Sequence, residues 1–554
     1  MDETTKAESF AVPTEKLRWV CPEDMFPFEC TTDIEPLKEF IGQERAIDSI
    51  DFGLKLERAG YNLFLTGLTG TGKASTVKTK LERFIEKRKA EGIVYHLNDW
   101  CYVHDFSDHD HPRILKLPQG LGRAFANDMD ELVKRLKDEV PKTFGSEEFN
   151  KQKQDILSEH QKKYQASMDA LEKEAKEKSL MVQLSPVGAA VVPLVDGEPM
   201  SREDFLNLPE AEKEKIEAKR LEMMRKVEDA YAQLHDFEKE VGEKLKEIER
   251  KAGEFAISGL FDDLMKSYRE HQEVLDFLQD AKKYTLEHLD LFIQAPAQPP
   301  FPVPQAQQVD TFLAYRVNLF VDNSSLSGPP IIIEPNPHWF NMFGKIERRA
   351  LMGTYLSDHT MIKAGAVQLA NGGYLILNIR DVVLNPGVWE GLKRVIKSKE
   401  VRTEDPGEQF GFFIPLGMRP QPMPVDLKTI AMGDDYLYQL LTIYDEDFWE
   451  MFKVKADFDY EMKRTAENVK SYTCFIRRCC DEDRLLPFDR SGVAKVLEYA
   501  ARTVDDQEKL SARFGPLRDL LIEADYWTRN AGSEMITGGF VEKAVKEKIH
   551  RLDL

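Results

Sequence analysis

Cysteine is scarce in this chain. There are six, Cys21, Cys30, Cys101, Cys474, Cys479 and Cys480, and no two have CxxC spacing. That spacing excludes the usual zinc ligand pattern, and so few cysteines in so long a chain argue against a disulfide framework. Long apolar runs are missing too. No stretch of about 18 apolar residues occurs, so no membrane span is expected. The opening MDETTKAESF lacks the basic start and apolar core of a signal peptide. A cytoplasmic location is the expectation. Positive charge is in deficit: 76 Lys and Arg stand against 97 Asp and Glu, a net charge of −21. A passive grip on nucleic acid needs clustered cations to displace counterions, so nucleic acid is not the expected partner. The charge suits a large assembly that must stay soluble.

What is present is 554 residues, 42% of them hydrophobic. At about 150 residues per domain this allows three or four domains. Residues 1–35 are Pro-rich and irregular and read as an arm that packs on another surface. Residues 36–122 begin with an amphipathic helix, around Ile41 to Glu57, followed by the short apolar strand YNLFLTG and a second strand in VYHLNDWCYVHDF. From 123 to 295 Lys and Glu dominate at helical spacing, which predicts a helical hairpin or coiled coil. A β-like stretch interrupts it, with an apolar tip at Val187 to Val195. Ser201 and Asp204 form a capping box that restarts the helix. The tip suits contact with unfolded substrate or packing against the arm beside it. The linker IQAPAQPPFPVPQAQQ closes the insertion. Residues 296–465 resume strand and helix alternation in YRVNLFVDN, PPIIIEPN, GGYLILNI and VDLKTIAMG, and residues 466–554 read as helical. The expected class is α/β: a parallel sheet covered on both faces, split by the insertion and followed by an all-α lid.

The chemistry is concentrated in GLTGTGKAS, directly after the first strand. Gly67, Gly72 and Lys73 satisfy GxxxxGK, with Gly70 and Thr71 inside the loop. Small residues let backbone N–H groups wrap phosphates, the helix N-terminus adds partial positive charge, and the lysine reaches the terminal phosphates. ATP or ADP is the expected ligand. Ala74 stands where a Ser or Thr hydroxyl should hold Mg²⁺, and Ser75 comes one residue late. A second nucleotide motif is AVQLANGGYLILNIRDVV, an apolar run that should end in acid. An Asp there holds Mg²⁺ and a following Glu polarises water. This chain has Asn378 and Ile379, with Asp381 as the nearest acid able to substitute.

These stretches, together with IGQERAIDSIDFGL, DWCYVHDF, IKAGAVQLANGGYLIL, EDPGEQFG, MFKVKADFD and QEKLSARFGPLRDLLIEADYW, resemble the Lon-like AAA+ proteases, whose ATPase is joined to a Lon-type Ser-Lys peptidase. The likeness runs along nearly the whole chain, insertion included. It implies an AAA+ fold, a six-membered homo-oligomeric ring, protein substrates, and a Lon-type peptidase domain in the same polypeptide or on a separate one. That domain would follow the lid, where the chain reads IHRLDL. No stretch here resembles the serine-bearing peptidase motif, and Ser511 is expected inside a lid helix. Some members of the family have lost hydrolysis, and Ala74, Asn378 and Ile379 point that way. By analogy with ring ATPases, Met352 and Tyr355 are candidates to grip polypeptide; the alternative is that both are core residues. Arg513 and Arg518 resemble a sensor arginine on the lid, Asp434 a sensor polar residue after a strand, and Lys453 a charge reaching a neighbouring subunit. His104, His109 and His111 in VHDFSDHDHP are read as a polar loop rather than a metal cluster. Three functions follow in order: a nucleotide-binding module that recruits or threads substrates for proteolysis, a non-hydrolysing scaffold or gate, and a DNA-acting AAA+ motor or regulator.

Overall fold

The structure, a computed structural model, describes residues 12–13, 17–37, 41–67, 73–185, 188–195, 198–201, 205, 209–293, 310–351, 354–405 and 417–552. The loop residues Gly70, Thr71 and Gly72, Met352, Asp204 of the capping box and nearly all of the Pro-rich linker lie outside this set.

In chain order the first half of the α/β region supplies α1 (Glu44–Lys55), β1 (Leu63–Thr66), α2 (Lys73–Ala90), β2 (Asn98–Val103) and β3 (Arg113–Pro118). The insertion carries α3 (Leu121–Phe144), α4 (Glu147–Glu177), β4 (Leu180–Ser185), β5 (Gly188–Val195), β6 (Glu198–Pro199), α5 (Glu210–Ser267) and α6 (Gln272–Glu287). The second half returns with β7 (Val317–Val321), β8 (Ile331–Glu334), β9 (Arg349–Leu351), β10 (Thr354–Leu356), β11 (Tyr374–Asn378), α7 (Ile379–Leu384), α8 (Val388–Ser398), β12 (Lys428–Met432), α9 (Asp435–Tyr444) and β13 (Val454–Asp457). The lid follows: β14 (Glu461–Lys463), α10 (Ala466–Asp483), α11 (Arg490–Arg502), β15 (Lys509–Ser511), α12 (Phe514–Asn530) and α13 (Gly538–Leu552). Ser511 therefore ends a strand, where the sequence suggested a helix.

The chain divides into two compact units. The first holds residues 1–103, 108–123 and 318–554. Its five-stranded sheet runs β13-β1-β12-β11-β8, and all four strand pairs are parallel. β1, β11 and β12 are apolar runs buried on both faces, as a doubly covered parallel sheet requires. Under β1, Phe64 meets Tyr438, Phe448 and Phe452 edge-on, with ring centroids 5.1–6.1 Å apart. Such aromatic contacts add about 0.5–1.5 kcal/mol each beyond burial. β2 and β7, read from the sequence as strands of the main sheet, instead form a separate three-stranded sheet with β3. β13 completes the main sheet on the other edge. Its four residues, VKAD, carry too short an apolar pattern to announce a strand.

The lid helices surround their own core, which includes Tyr472, Phe475, Leu497 and Leu520. The N-terminal arm packs into it. Cys21, Phe26 and Phe28 are buried there, and Thr31 N–H bonds the Phe488 carbonyl at 2.9 Å.

The second unit comprises residues 104–107 and 124–317. α4 packs on the 58-residue α5, and β4, β5 and β6 form a small antiparallel sheet between them in sequence. A compact cluster of Leu171, Ala175, Leu180, Val191, Met223 and Val227 binds that sheet to the two helices. No described helix is long and apolar enough to cross a membrane.

Candidate nucleotide site

Parallel pairing brings the carboxyl ends of four strands to one edge of the sheet. Leu65 and Asn378 both register with Met432, and Thr66 with Asp457. Ligands in such sheets bind outside the carboxyl ends of the strands.

Gly67 leaves β1 at φ +130°, a conformation for which glycine is suited. A Cβ there would lie 2.6 Å from the Phe458 carbonyl oxygen. The loop then enters α2, whose first residues are Lys73, Ala74 and Ser75. The first turn of α2 has no acidic residue, while Lys87, Arg88 and Lys89 occupy the last. That charge order leaves the N-terminus for an external anion.

At the end of β11, Asn378 is the N-cap of α7, and its side-chain oxygen accepts from Arg380 N–H at 3.2 Å. This amide serves the helix. Ile379, next in sequence, is fully buried in the main core. Asp381 is in the first turn of α7, where a carboxylate suits the helix dipole. Between β1 and β11 runs the exit of β12. Gly433 donates to the Leu65 carbonyl at 3.0 Å, and a Cβ on it would meet Ile379 at 2.8 Å and Phe64 at 3.0 Å. Asp434 caps α9, accepting from Leu437 N–H at 2.7 Å.

Sequence reasoning missed the polar latch on the other side of β1. The Thr66 hydroxyl donates to Asp457 at 2.6 Å. Arg45, in the first turn of α1, reaches Asp457 at 3.3 Å and Asp459 at 3.1 Å. The Gln43 amide brackets the Asp459 backbone, donating to its carbonyl at 2.9 Å and accepting from its N–H at 3.0 Å. Lys455 pairs with Asp435 at 2.7 Å. The signal was present in the GQER and KVKADFD stretches, but only the strand register shows that they meet.

The remaining candidates are dispersed. Arg518 grips Asp483 with two bonds of 2.6 and 2.5 Å and also meets Glu482 at 3.2 Å. These carboxylates hold its guanidinium above the ordinary arginine range, led by the bond to Asp483. Arg513 is exposed at the N-cap of α12 and has no carboxylate partner among the described residues. Lys453 precedes β13, at the edge opposite the strand ends gathered above, and lies 5.2 Å over the Tyr61 ring. Tyr355 is 70% exposed on the β9–β10 hairpin, opposite Ala350. His111 bonds Asp108 at 2.9 Å, and no group of three or more metal-binding side chains occurs among the described residues. Burial pushes Cys21, Cys101 and Cys479 up to about 12 and Cys480 to about 11.

Gly67 and the N-terminus of α2 fit a phosphate cradle. Ala74 has no hydroxyl, and Asn378 is uncharged and committed to its helix. A divalent metal held by those two positions does not fit.

Three segments of the chain match models of known families. Residues 327–459 match the model for a LonB-like AAA domain. Residues 487–551 match that for the archaeal LonB AAA+ ATPase lid domain. Residues 99–132 match that for the Lon-like LonC helical domain. No curated protein matched the chain. Partial likenesses among solved structures include NtrX from Brucella abortus in complex with ADP, at 17% identity and TM-score 0.26 over 39% of this chain and 45% of that one. A RuvB mutant from Thermogota maritima matches at 12% identity and TM-score 0.21, over 33% and 46%. The chain thus spans less than half the length of those two proteins. In chain order the three family models cover β2, β3 and the start of the insertion, then the later strands of the sheet, then the lid, and together they support a Lon-like AAA+ family for this chain.

Proposed function

We propose that the chain binds ATP or ADP through the β1–α2 loop and recruits protein substrates for a Lon-type peptidase, as a module that does not itself hydrolyse nucleotide at the usual rate. The observation that carries this reading is the contrast at the two motifs. Gly67, at the start of the GxxxxGK spacing, leaves β1 at a positive φ that suits glycine, while the second motif has neither carboxylate. Asn378 caps α7, and Ile379 is buried core.

The chemistry of this chain's own residues follows. Backbone N–H groups at the start of α2 and Lys73 bind phosphate oxygens. Mg²⁺, when it accompanies nucleotide, supplies charge neutralisation on the phosphates. No side chain at 378 or 379 can take a proton from water. Asp381 lies a helical turn further on and is the one acid left on that segment. The non-hydrolysing gate is thus the version of the function that the site favours. Protein-substrate recruitment and assembly of copies into a ring rest on the family resemblance and belong to this proposal. The exposed Tyr355 supports a gripping role for the β9–β10 hairpin.

The test is nucleotide affinity by calorimetry, alongside steady-state turnover. The wild type is expected to bind ADP and ATP, with little change on adding EDTA. Lys73→Ala should weaken binding at least tenfold. Turnover abolished by Lys73→Ala and by Asp381→Asn would overturn the gate reading and make Asp381 the working acid.

A further inference from the structure

α9, reading DYLYQLLTIY, is apolar on every side. Tyr438 and Leu441 face the main core. Tyr436, Leu440 and Ile443, at spacings i, i+4 and i+7, share the opposite face. Tyr436 and Ile443 are each 71% exposed, and Tyr444 and Trp449, close by in the chain, 81% and 52%. A helix that is apolar all round is normally buried, so this outward face calls for a cover. Tyr and Trp are also the side chains that most often anchor protein interfaces.

Free carboxylates border the face. Asp434, which caps α9, and the exposed Glu446 and Glu450 have no cation within ion-pair distance among the described residues. The cations of the same segments are engaged. Lys393 pairs with Asp445 at 3.0 Å, Lys397 with Asp447, and Lys455 with Asp435 at 2.7 Å, while Lys453 lies over the Tyr61 ring.

A groove of complementary character lies on the lid. It is a cavity of about 760 Å³ between α11, α13 and the N-terminal arm. Half-buried Trp19, Tyr499 and Val545 supply apolar wall, and Leu17 and Ile549 add exposed apolar surface. Its free charges are mostly positive. Arg18, Arg502 and Lys546 are exposed and have no carboxylate within ion-pair distance among the described residues, against one free acid, Asp505. The other carboxylates of the groove are paired: Glu498 and Glu542 with Lys495 at 2.9 and 3.1 Å, and Asp506 with Lys509 at 3.6 Å.

We infer that α9 of a second copy of this chain seats in the lid groove. Anchors at i, i+4 and i+7 are how a helix lies in an apolar groove. The contact also brings the free carboxylates around α9 to the free cations of the groove, which favours this pairing in a chain whose net charge of −21 otherwise keeps copies apart. The helix cannot come from the same chain, because Tyr438 and Leu441 hold α9 in the sheet core and no residue of α9 lines the groove. Helix face and groove are different surfaces of one chain. The contact is therefore head to tail, the kind that closes into a ring. This deepens the assembly part of the proposed function and rests on that reading.

The experiment measures the mass of the full chain by light scattering behind size-exclusion chromatography. Ile443→Asp spoils the helix face and Ile549→Asp the groove. Both side chains are at least half exposed, so thermal midpoints are expected to hold. The wild type is expected to assemble, and each variant alone to run as a single chain. An equal mixture of the two should form a two-chain species, since one intact helix face and one intact groove remain. Glu446→Lys with Glu450→Lys leaves the apolar face intact and carries the test if an aspartate variant fails to fold. It should raise the single-chain fraction at least tenfold, and adding Arg502→Glu and Lys546→Glu should restore assembly. A wild type that stays a single chain at every concentration overturns both the inference and the assembly reading. Variants that assemble like the wild type, aspartate or charge-reversed, overturn the inference alone and leave these faces to a different partner. A mixture that stays single-chain also overturns it, because the two faces then do not meet each other.

Discussion

At position 379 the family resemblance asks for a general base and the fold asks for a hydrocarbon. Ile379 has no exposed surface and lies in a core with Phe64, Leu377 and Val382. A carboxylate placed there would be buried without a partner, at a cost of several kcal/mol unless it takes up a proton. Ile379→Glu is expected to destabilise the protein by about 3 kcal/mol or more. It is also expected to leave ATP turnover at background. Denaturant unfolding and a phosphate-release assay would check both halves, and a stable, active variant would show that the site tolerates a base after all. Asn378 illustrates the same point more mildly. An Asp at that position could also cap α7, so its amide is not demanded by the helix. Nothing in the structure explains why Asn stands there.

Single helices and strands explain why some candidates came together and others did not. β13 was not legible as a strand, because its VKAD pattern is brief and half-buried. Its pairing with β1 is nonetheless what sets Asp457 beside Thr66. In the lid, Arg518 is spent joining α12 to the end of α10 through Asp483. The Arg518 bond holds the Asp483 carboxyl below the usual aspartate range. An acid depressed in the folded state stabilises above its unfolded pKa, and that stability is lost as pH falls through the folded value. The arginine is 42% exposed, so solvent limits the effect to about 1 kcal/mol or less. The wild-type thermal midpoint should therefore fall below about pH 4 more steeply than that of Asp483→Asn. Parallel pH curves for the two proteins would show that the pair adds nothing.

For the whole molecule the decisive property is charge. The three functional readings differ most in partner, and a net charge of −21 opposes one of them. Association with duplex DNA draws its non-specific affinity from released counterions. Filter binding of a random duplex at about 50 mM salt is expected to give no retention, with nucleotide present or absent. Retention that falls steeply with added salt would restore the DNA-acting reading. The division into two units carries the other lesson. The chain leaves the α/β unit after residue 123 and rejoins it at residue 318, within β7. A second compact unit is thus inserted into the first without interrupting any strand of the five-stranded sheet.

The sequence by itself determined the parts whose signals are local: the glycine spacing of the phosphate loop, the apolar runs of β1, β11 and β12, the Lys/Glu periodicity of the insertion, and the missing carboxylates at 378 and 379. These depend on residues close together in the chain, and composition and spacing carry them. The tertiary structure alone decided which strands share the main sheet, that β2 and β7 stand apart from it, that Arg518 is occupied, and that Gln43, Arg45 and Thr66 converge on Asp457 and Asp459. Each of those outcomes joins segments far apart in sequence. Pairing across such distances is fixed by burial and register, which no local pattern contains.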